Sequence, residues 1–324
     1  MRNLIALVFA ILLALAVAPQ TRAAVGFQHF FIPDPKGPPI EVGVWYPTDA
    51  APKAEVIELS PQTVATDAPV KGDHLPLVVI SHGHGGSFVG HLDTAIALAK
   101  AGFVAAALTH NGDSWHDSSH AMEIWERPRQ LKVLTDYMLG AWRDRRHIDA
   151  DRIGAFGFSA GGFTVLSAAG AEPDFRTMKA HCQSHPSFED CQIVAGRSLP
   201  AESSIVWTHD TRIKAVVSAA PALGFAFGRE GLAAVQAPVQ LWCAADDQVL
   251  PHPYYAEAVR LSLPRPPQMH VVPHAGHYDF LAPCSARLAR EVPAICVSEP
   301  GFDRAKFHEQ LDRDVVAFFT RTLK

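Results

Sequence analysis

Several things are missing from this sequence, and each absence removes a class of function. Lys and Arg number 28 against 33 Asp and Glu, for a formal net charge of −5. No excess of positive charge exists to meet a phosphate backbone, so nucleic acid is not expected as a partner. No internal repeat or low-complexity tract appears, which removes solenoids and disordered tails. No stretch ends in G-K-[ST] and none reads G-x-G-x-x-G, so the motif evidence for a nucleotide cofactor is lacking. The longest apolar run, residues 4–18, falls short of the ~20 residues that cross a bilayer.

That run follows Arg2 and precedes Pro19-Gln20-Thr21-Arg22-Ala23-Ala24, the n-region, h-region and small-residue cleavage site of a secretory signal. A membrane anchor is the alternative reading. No cysteine follows the run, which argues against a lipid-anchored N-terminus. Residues 1–23 are therefore expected to be removed on export to a secreted or periplasmic location, leaving 24–324 as one domain with no stable membrane span. Their loss takes two arginines and no acid, moving the charge from −5 to about −7.

Against these absences stands residues 151–170, D-R-I-G-A-F-G-F-S-A-G-G-F-T-V-L-S-A-A-G. A short apolar run suited to a buried strand leads into Gly157-Phe158-Ser159-Ala160-Gly161, and a small apolar stretch suited to a packed helix leads out. G-x-S-x-G between a strand and a helix is the nucleophile elbow, with the serine held at a sharp turn. Side chains at 157 or 161 would collide with the crowded backbones. The bland alternative is a Gly/Ser turn between core elements, and the flanking elements favour the catalytic reading.

Taken in order, the chain alternates strands and helices around that point. Strands are expected at 25–32, 40–46, 75–80, 103–108, 153–156, 213–219, 238–244 and 268–272. Helices are expected at 92–101, 123–143, 163–169 and 303–323, and a looser proline-containing stretch runs to His74. This order implies an α/β fold, a mostly parallel central sheet flanked by helices on both faces. After strand 75–80 comes Ser81-His82-Gly83-His84-Gly85-Gly86, placed to supply the second oxyanion donor, so the backbone N–H groups of His84 and Ala160 are the expected pair. Strand 238–244 ends at Asp246-Asp247, and strand 268–272 at Pro273-His274-Ala275-Gly276-His277. Serine, then Asp, then His is the chain order of the α/β-hydrolases.

Three further segments have more than one reading. Residues 110–120 hold three histidines and two aspartates; they match no zinc spacing and read better as a loop at the mouth of the site than as a metal centre. Residues 171–212 lose periodicity and form an excursion, either a lid over the site or a stapled surface loop. In an oxidising compartment Cys182–Cys191 and Cys284–Cys296 are expected as two local disulfides, although four cysteines allow three pairings. Cys243, inside a strand, reads as a small core residue.

With V-W-Y-P, S-H-G-x-G-G, D-x-x-R-I-G, A-G-H-Y-D-F and the Cys284 to Cys296 segment followed by G-F-D-R, the chain resembles the platelet-activating factor acetylhydrolase group. It equally resembles the secreted bacterial proteins described as predicted dienelactone hydrolases. The resemblance spans nearly the whole chain after the signal segment and implies an α/β-hydrolase fold with Ser159 as nucleophile and His277 as base. The acid of that group sits four residues before a proline, which points to Asp247 over Asp246. Two positions depart from the pattern. Dienelactone hydrolases carry cysteine where Ser159 stands, and eukaryotic lipid acetylhydrolases carry histidine where Phe158 stands, so neither substrate is inherited. The expectation is a serine hydrolase acting on a small-molecule or lipid ester, with no cofactor and no metal. An exported peptidase or polyester hydrolase, and a silent binding protein, are the alternatives; the oligomeric state is left open.

Overall fold

A computed structural model describes residues 24–196 and 205–324. The apolar segment 1–23 and part of the excursion, 197–204, lie outside the described residues. Among the described residues ten strands form one sheet: β1 Ala24–Ile32, β2 Ile40–Thr48, β3 Lys53–Ile57, β4 Ser60–Thr66, β5 Leu75–Ser81, β6 Val104–Thr109, β7 Ile148–Phe158, β8 Ile213–Ala219, β9 Val239–Ala244 and β10 Gln268–Val272. Their spatial order is β10-β9-β8-β7-β5-β6-β2-β1-β4-β3. From β10 through to β6 every pair is parallel. Antiparallel pairing is confined to β1–β2, β2–β6 and β3–β4.

The parallel strands read as unbroken apolar runs because both of their faces are covered. Leu77 and Val79 of β5 point into a core shared with Ala106, Ile153 and the helices α2 Glu126–Gly140 and α3 Ala160–Ala168. Val78 and Ile80 point the other way, into a core shared with Ala107, Phe156 and the helices α1 Leu92–Lys100 and α9 Arg304–Thr322. Along α9 the apolar spacing expected from sequence is the buried face: Phe307, Leu311, Val315, Phe318 and Phe319. Each such side chain contributes about 1.5–3 kcal/mol relative to leaving it in water.

One segment differs from the sequence expectation. The stretch before His74 contains the β3–β4 hairpin, which joins the sheet through Gly26 and Phe27 of β1. β3 is the last strand and mostly exposed, so its sequence, K-A-E-V-I, carries little apolar alternation to betray it.

Parallel strands bring their C-terminal ends to one edge, and there the segments following β5, β7, β9 and β10 meet. The excursion after α3 folds as α4 Arg176–Ser184 and α5 Glu189–Val194, tied together by the Cys182–Cys191 disulfide. After the short helices α6 Arg229–Leu232 and α7 Ala256–Ser262, the Cys284–Cys296 disulfide brackets α8 Ala286–Glu291 and clips the approach to α9. Both local pairings are thus the ones formed. Cys243 stays unpaired in β9, and burial pushes its thiol up to about 11, leaving it unreactive at neutral pH. Among the described residues no helix is long and apolar enough to cross a membrane.

Candidate active site

Between the end of β7 and the start of α3, Ser159 adopts φ 54° and ψ −119°. A residue with a Cβ is strained there, by ~1–3 kcal/mol, and stays only where its surroundings fix it. They do so through the backbone. The Ser159 amide donates to the Ala219 carbonyl at 2.9 Å, and its carbonyl accepts from the amides of Phe163 at 3.1 Å and Ala222 at 3.0 Å. The flanking glycines are required by contact. A Cβ on Gly157 would lie 2.0 Å from the Gly161 carbonyl oxygen, and one on Gly161 would lie 1.9 Å from that of Ser81. Sheet and helix therefore meet backbone to backbone at the turn.

The hydroxyl so presented lies 3.0 Å from Nε2 of His277, and Nδ1 of His277 lies 2.8 Å from Asp247 Oδ2. A carboxylate only accepts, so Nδ1 carries the proton and Nε2 offers its lone pair to the serine. Asp247 is itself fixed: Oδ1 accepts from the amides of Val249 at 2.9 Å and Leu250 at 2.7 Å. All three side chains are buried. Asp246 is exposed, and its carboxylate comes no nearer than 3.8 Å to its closest imidazole, that of His274. Geometry thus joins Asp247, and not Asp246, to the serine. Phe158 packs its ring 4.8 Å from that of His277 and so helps fix the plane of the imidazole.

His84 and Ala160, the expected backbone donors, both line one cavity of about 100 Å³. Ala160 opens α3, where the first amides of a helix have no intrahelical acceptor. Below His84 lies a buried ionic network that sequence reasoning did not identify. Arg127, 2% exposed, donates through Nη1 to Asp113 Oδ2 at 2.5 Å, through Nη2 to the His82 carbonyl, and through Nε to Thr164 Oγ1 at 3.2 Å. Asp113 Oδ1 in turn accepts from His84 Nδ1 at 2.6 Å and the Gly85 amide at 3.0 Å. Burial opposes ionisation of Asp113, but Arg127 and His84 outweigh it and hold the carboxyl well below its usual range. The hydrogen bond to Asp113 raises the pKa of His84. Burial, with Arg127 beside it, pushes His82 down to about 3, and the neutral ring accepts the His110 amide at Nε2, 2.9 Å.

The loop 110–120 contributes Asp113 to the cavity wall, and its three histidines are spent apart. His110 is buried between Ser81 and Gln130, His116 packs on Trp115, and His120 pairs with Glu123. Arg127 left a signal in the sequence: with Leu131, Leu134 and Met138 it falls on the buried stripe of α2, and a charge there demands a buried partner. The excursion walls the same cavity through Phe175, Met178, Asp190, Ile193 and Val194.

Comparison with known proteins adds to this geometry. Residues 78–186 match the model of the prolyl oligopeptidase family. NocK of Nocardia uniformis subsp. tsuyamanensis, named as an inferred esterase, is 27% identical over 186 residues, covering 50% of this chain and 53% of NocK. The chain thus spans about half the length of that relative. A ferulic acid esterase from Streptomyces cinnamoneus superposes with a TM-score of 0.67 at 20% identity, covering 95% of this chain and 92% of that one. A dienelactone hydrolase from Anabaena variabilis ATCC 29413 superposes with a TM-score of 0.54 at 16% identity, covering 92% and 99%. By its sheet order, its elbow and these likenesses, the chain has the α/β-hydrolase fold.

Proposed function

We propose that the protein is an exported serine hydrolase, allied to the dienelactone hydrolase-like group, that cleaves carboxylic esters of small or lipid-like molecules through an acyl-enzyme. One observation carries the reading: the continuous hydrogen-bonded chain from Ser159 Oγ through His277 to Asp247, built on a strained turn. His277 takes the hydroxyl proton as Oγ attacks the ester carbonyl. Asp247 holds the imidazole in the right tautomer and stabilises its charged form. The amides of His84 and Ala160 donate to the oxyanion of the tetrahedral intermediate. Its collapse expels the alcohol, protonated by His277, and leaves an acyl group on Ser159. Water, deprotonated by the same imidazole, then releases the acid. Each step draws on the chain's own residues. The names of NocK and of the Streptomyces neighbour support an ester as substrate, and the two disulfides support export.

The match to the prolyl oligopeptidase family favours a second reading, hydrolysis of a peptide bond by the same machinery. Turnover of p-nitrophenyl esters of graded chain length, run beside peptide p-nitroanilides and a polyester film, separates the two. Esters are expected to be preferred; faster cleavage of the anilides would replace the ester reading with the peptidase one. Ser159→Ala is expected to lower kcat by at least ~10⁴-fold, and Asp247→Asn by about 10⁴-fold with Asp246→Asn near wild type. Full activity in Asp247→Asn would move the acid elsewhere.

A further inference from the structure

One polar side chain in the cavity has no part in these steps. Asp190, in α5, faces the space that His84 and Ala160 border, among Trp125, Phe175, Met178, Ile193 and Leu223. Its carboxylate is held in place: the Tyr255 hydroxyl donates to it from 3.0 Å of either oxygen, and the Cys191 amide donates to Oδ1 at 2.8 Å. Tyr255 is itself buried, with His181 Nε2 at 3.4 Å from its hydroxyl and the His181 ring stacked on Phe225 at 3.7 Å. The Cys182–Cys191 disulfide fixes α5 to α4 one residue further on.

The carboxylate is under-compensated. It accepts about four hydrogen bonds when ionised, and among the described residues the Tyr255 hydroxyl and the Cys191 amide donate to it. Among the described residues no lysine, arginine or histidine is ion-paired with it, while Arg127 is spent on Asp113. Burial raises its pKa, Tyr255 and the backbone oppose the rise, and the neighbouring Glu189 adds to it. A metal is a poor answer to that deficit. His181 and Cys191 also offer atoms within 4.8 Å, but the Cys191 sulfur is committed to the disulfide and is no thiolate.

We propose that Asp190 is a specificity-determining residue that selects esters whose cavity-bound portion ends in a hydrogen-bond donor, a hydroxyl or an ammonium, and disfavours those ending in a carboxylate. A largely apolar wall with one carboxylate left without a cationic partner, Asp113 being committed to Arg127 and His84, accommodates a carbon chain or ring capped by a donor. A second carboxylate would meet Asp190 and Glu189 with like charge and leave the half-buried Asp190 acceptor without a donor. This selection rests on the hydrolase reading above.

Two series of esters test it, one varying the end of the acyl group and one varying the end of the alcohol, each ending in methyl, hydroxyl, ammonium or carboxylate at matched length. In one of the series the ammonium and hydroxyl ends are expected to exceed methyl by about tenfold in kcat/KM, the worth of a charge-assisted hydrogen bond, with carboxylate last. Asp190→Asn is expected to abolish the ammonium preference through KM, bringing the ratio of ammonium-ended to methyl-ended kcat/KM from about ten to about one. An unchanged preference in Asp190→Asn, or an equal loss for all four ends, would overturn the assignment. Should that variant not fold, inhibition of the wild type by matched alkylammonium, alkanol and alkanoate serves. Alkanoate binding most tightly would overturn the proposal, and its binding most weakly would support it. Turnover of methyl-ended esters without any end-group preference defeats this inference alone. Turnover of no ester defeats the hydrolase reading beneath it.

Discussion

The two turns that meet at the candidate nucleophile are stabilised by opposite means. The elbow after β7 is steric: Gly157 and Gly161 let backbones touch, and three backbone hydrogen bonds lock Ser159 at φ 54°. The turn after β5 is electrostatic: Asp113 and Arg127 grip it through His84, Gly85 and the His82 carbonyl. One turn holds Ser159, the candidate nucleophile, by backbone contact, with no charged side chain gripping its backbone. The other holds the His84 amide, the candidate oxyanion donor, over the buried Asp113–Arg127 ion pair. The difference teaches that the two halves of one reaction centre should fail differently when perturbed.

The charge-held turn should fail hardest. Arg127→Met leaves the Asp113 carboxylate buried without its partner and is expected to lower stability by about 3–5 kcal/mol, read from urea unfolding. A near-neutral result would mean that the pair is replaceable and that the turn stands without it. Gly161→Ala drives a methyl into the Ser81 carbonyl and is expected to cost about 3 kcal/mol. Its deficit should be the same at low and high salt and across pH, since no charge is involved; a salt-dependent deficit would erase the contrast between the turns. Asp113→Asn preserves shape but loses the charge-assisted bonds to His84 and Gly85. Its expected mark is a roughly tenfold lower kcat with KM little changed, because the oxyanion donor loosens while ground-state binding persists.

The smallest effect is a slope. His82 is neutral when folded, with a pKa of about 3, against ~6.5 in the unfolded chain. Below pH ~6.5 the unfolded state therefore binds more protons, so stability falls as pH drops from there toward 3 and is fully present above it. His82 adds about 1.4 kcal/mol per pH unit to that fall. His82→Gln should flatten unfolding free energy against pH by that amount, and an unchanged slope would remove His82 from the acid response.

How much of this was legible in the sequence follows the same division. The elbow, the parallel strands and the order Ser159, Asp247, His277 are local patterns: a motif, an apolar run, a turn after a strand. The choice between Asp246 and Asp247 needed either the family likeness or the loop geometry, because both stand at the same strand end. Local disulfides at Cys182–Cys191 and Cys284–Cys296 could be read from short gaps. The Asp113–Arg127 pair was half legible: Arg127 stands on the apolar stripe of α2 and demands a buried partner, but that the partner is Asp113, from a loop, shows only in the folded chain. That the excursion 171–212 could lie over the site was one of two sequence readings; which of its side chains face the cavity was hidden for a related reason. Residues 171–196 pack against the site through scattered side chains such as Met178, Asp190 and Val194, with no period to reveal a face. The β3–β4 hairpin was hidden because an exposed edge strand satisfies backbone bonds without an apolar pattern.

The central claim is that Ser159 is the nucleophile activated by His277. Its most direct test is reaction of the pure protein with a fluorophosphonate, followed by peptide mapping of the adduct. The account predicts one phosphonyl group on Ser159, lost in Ser159→Ala and formed much more slowly in His277→Ala. An adduct on any other residue, or labelling undiminished in Ser159→Ala, would contradict it.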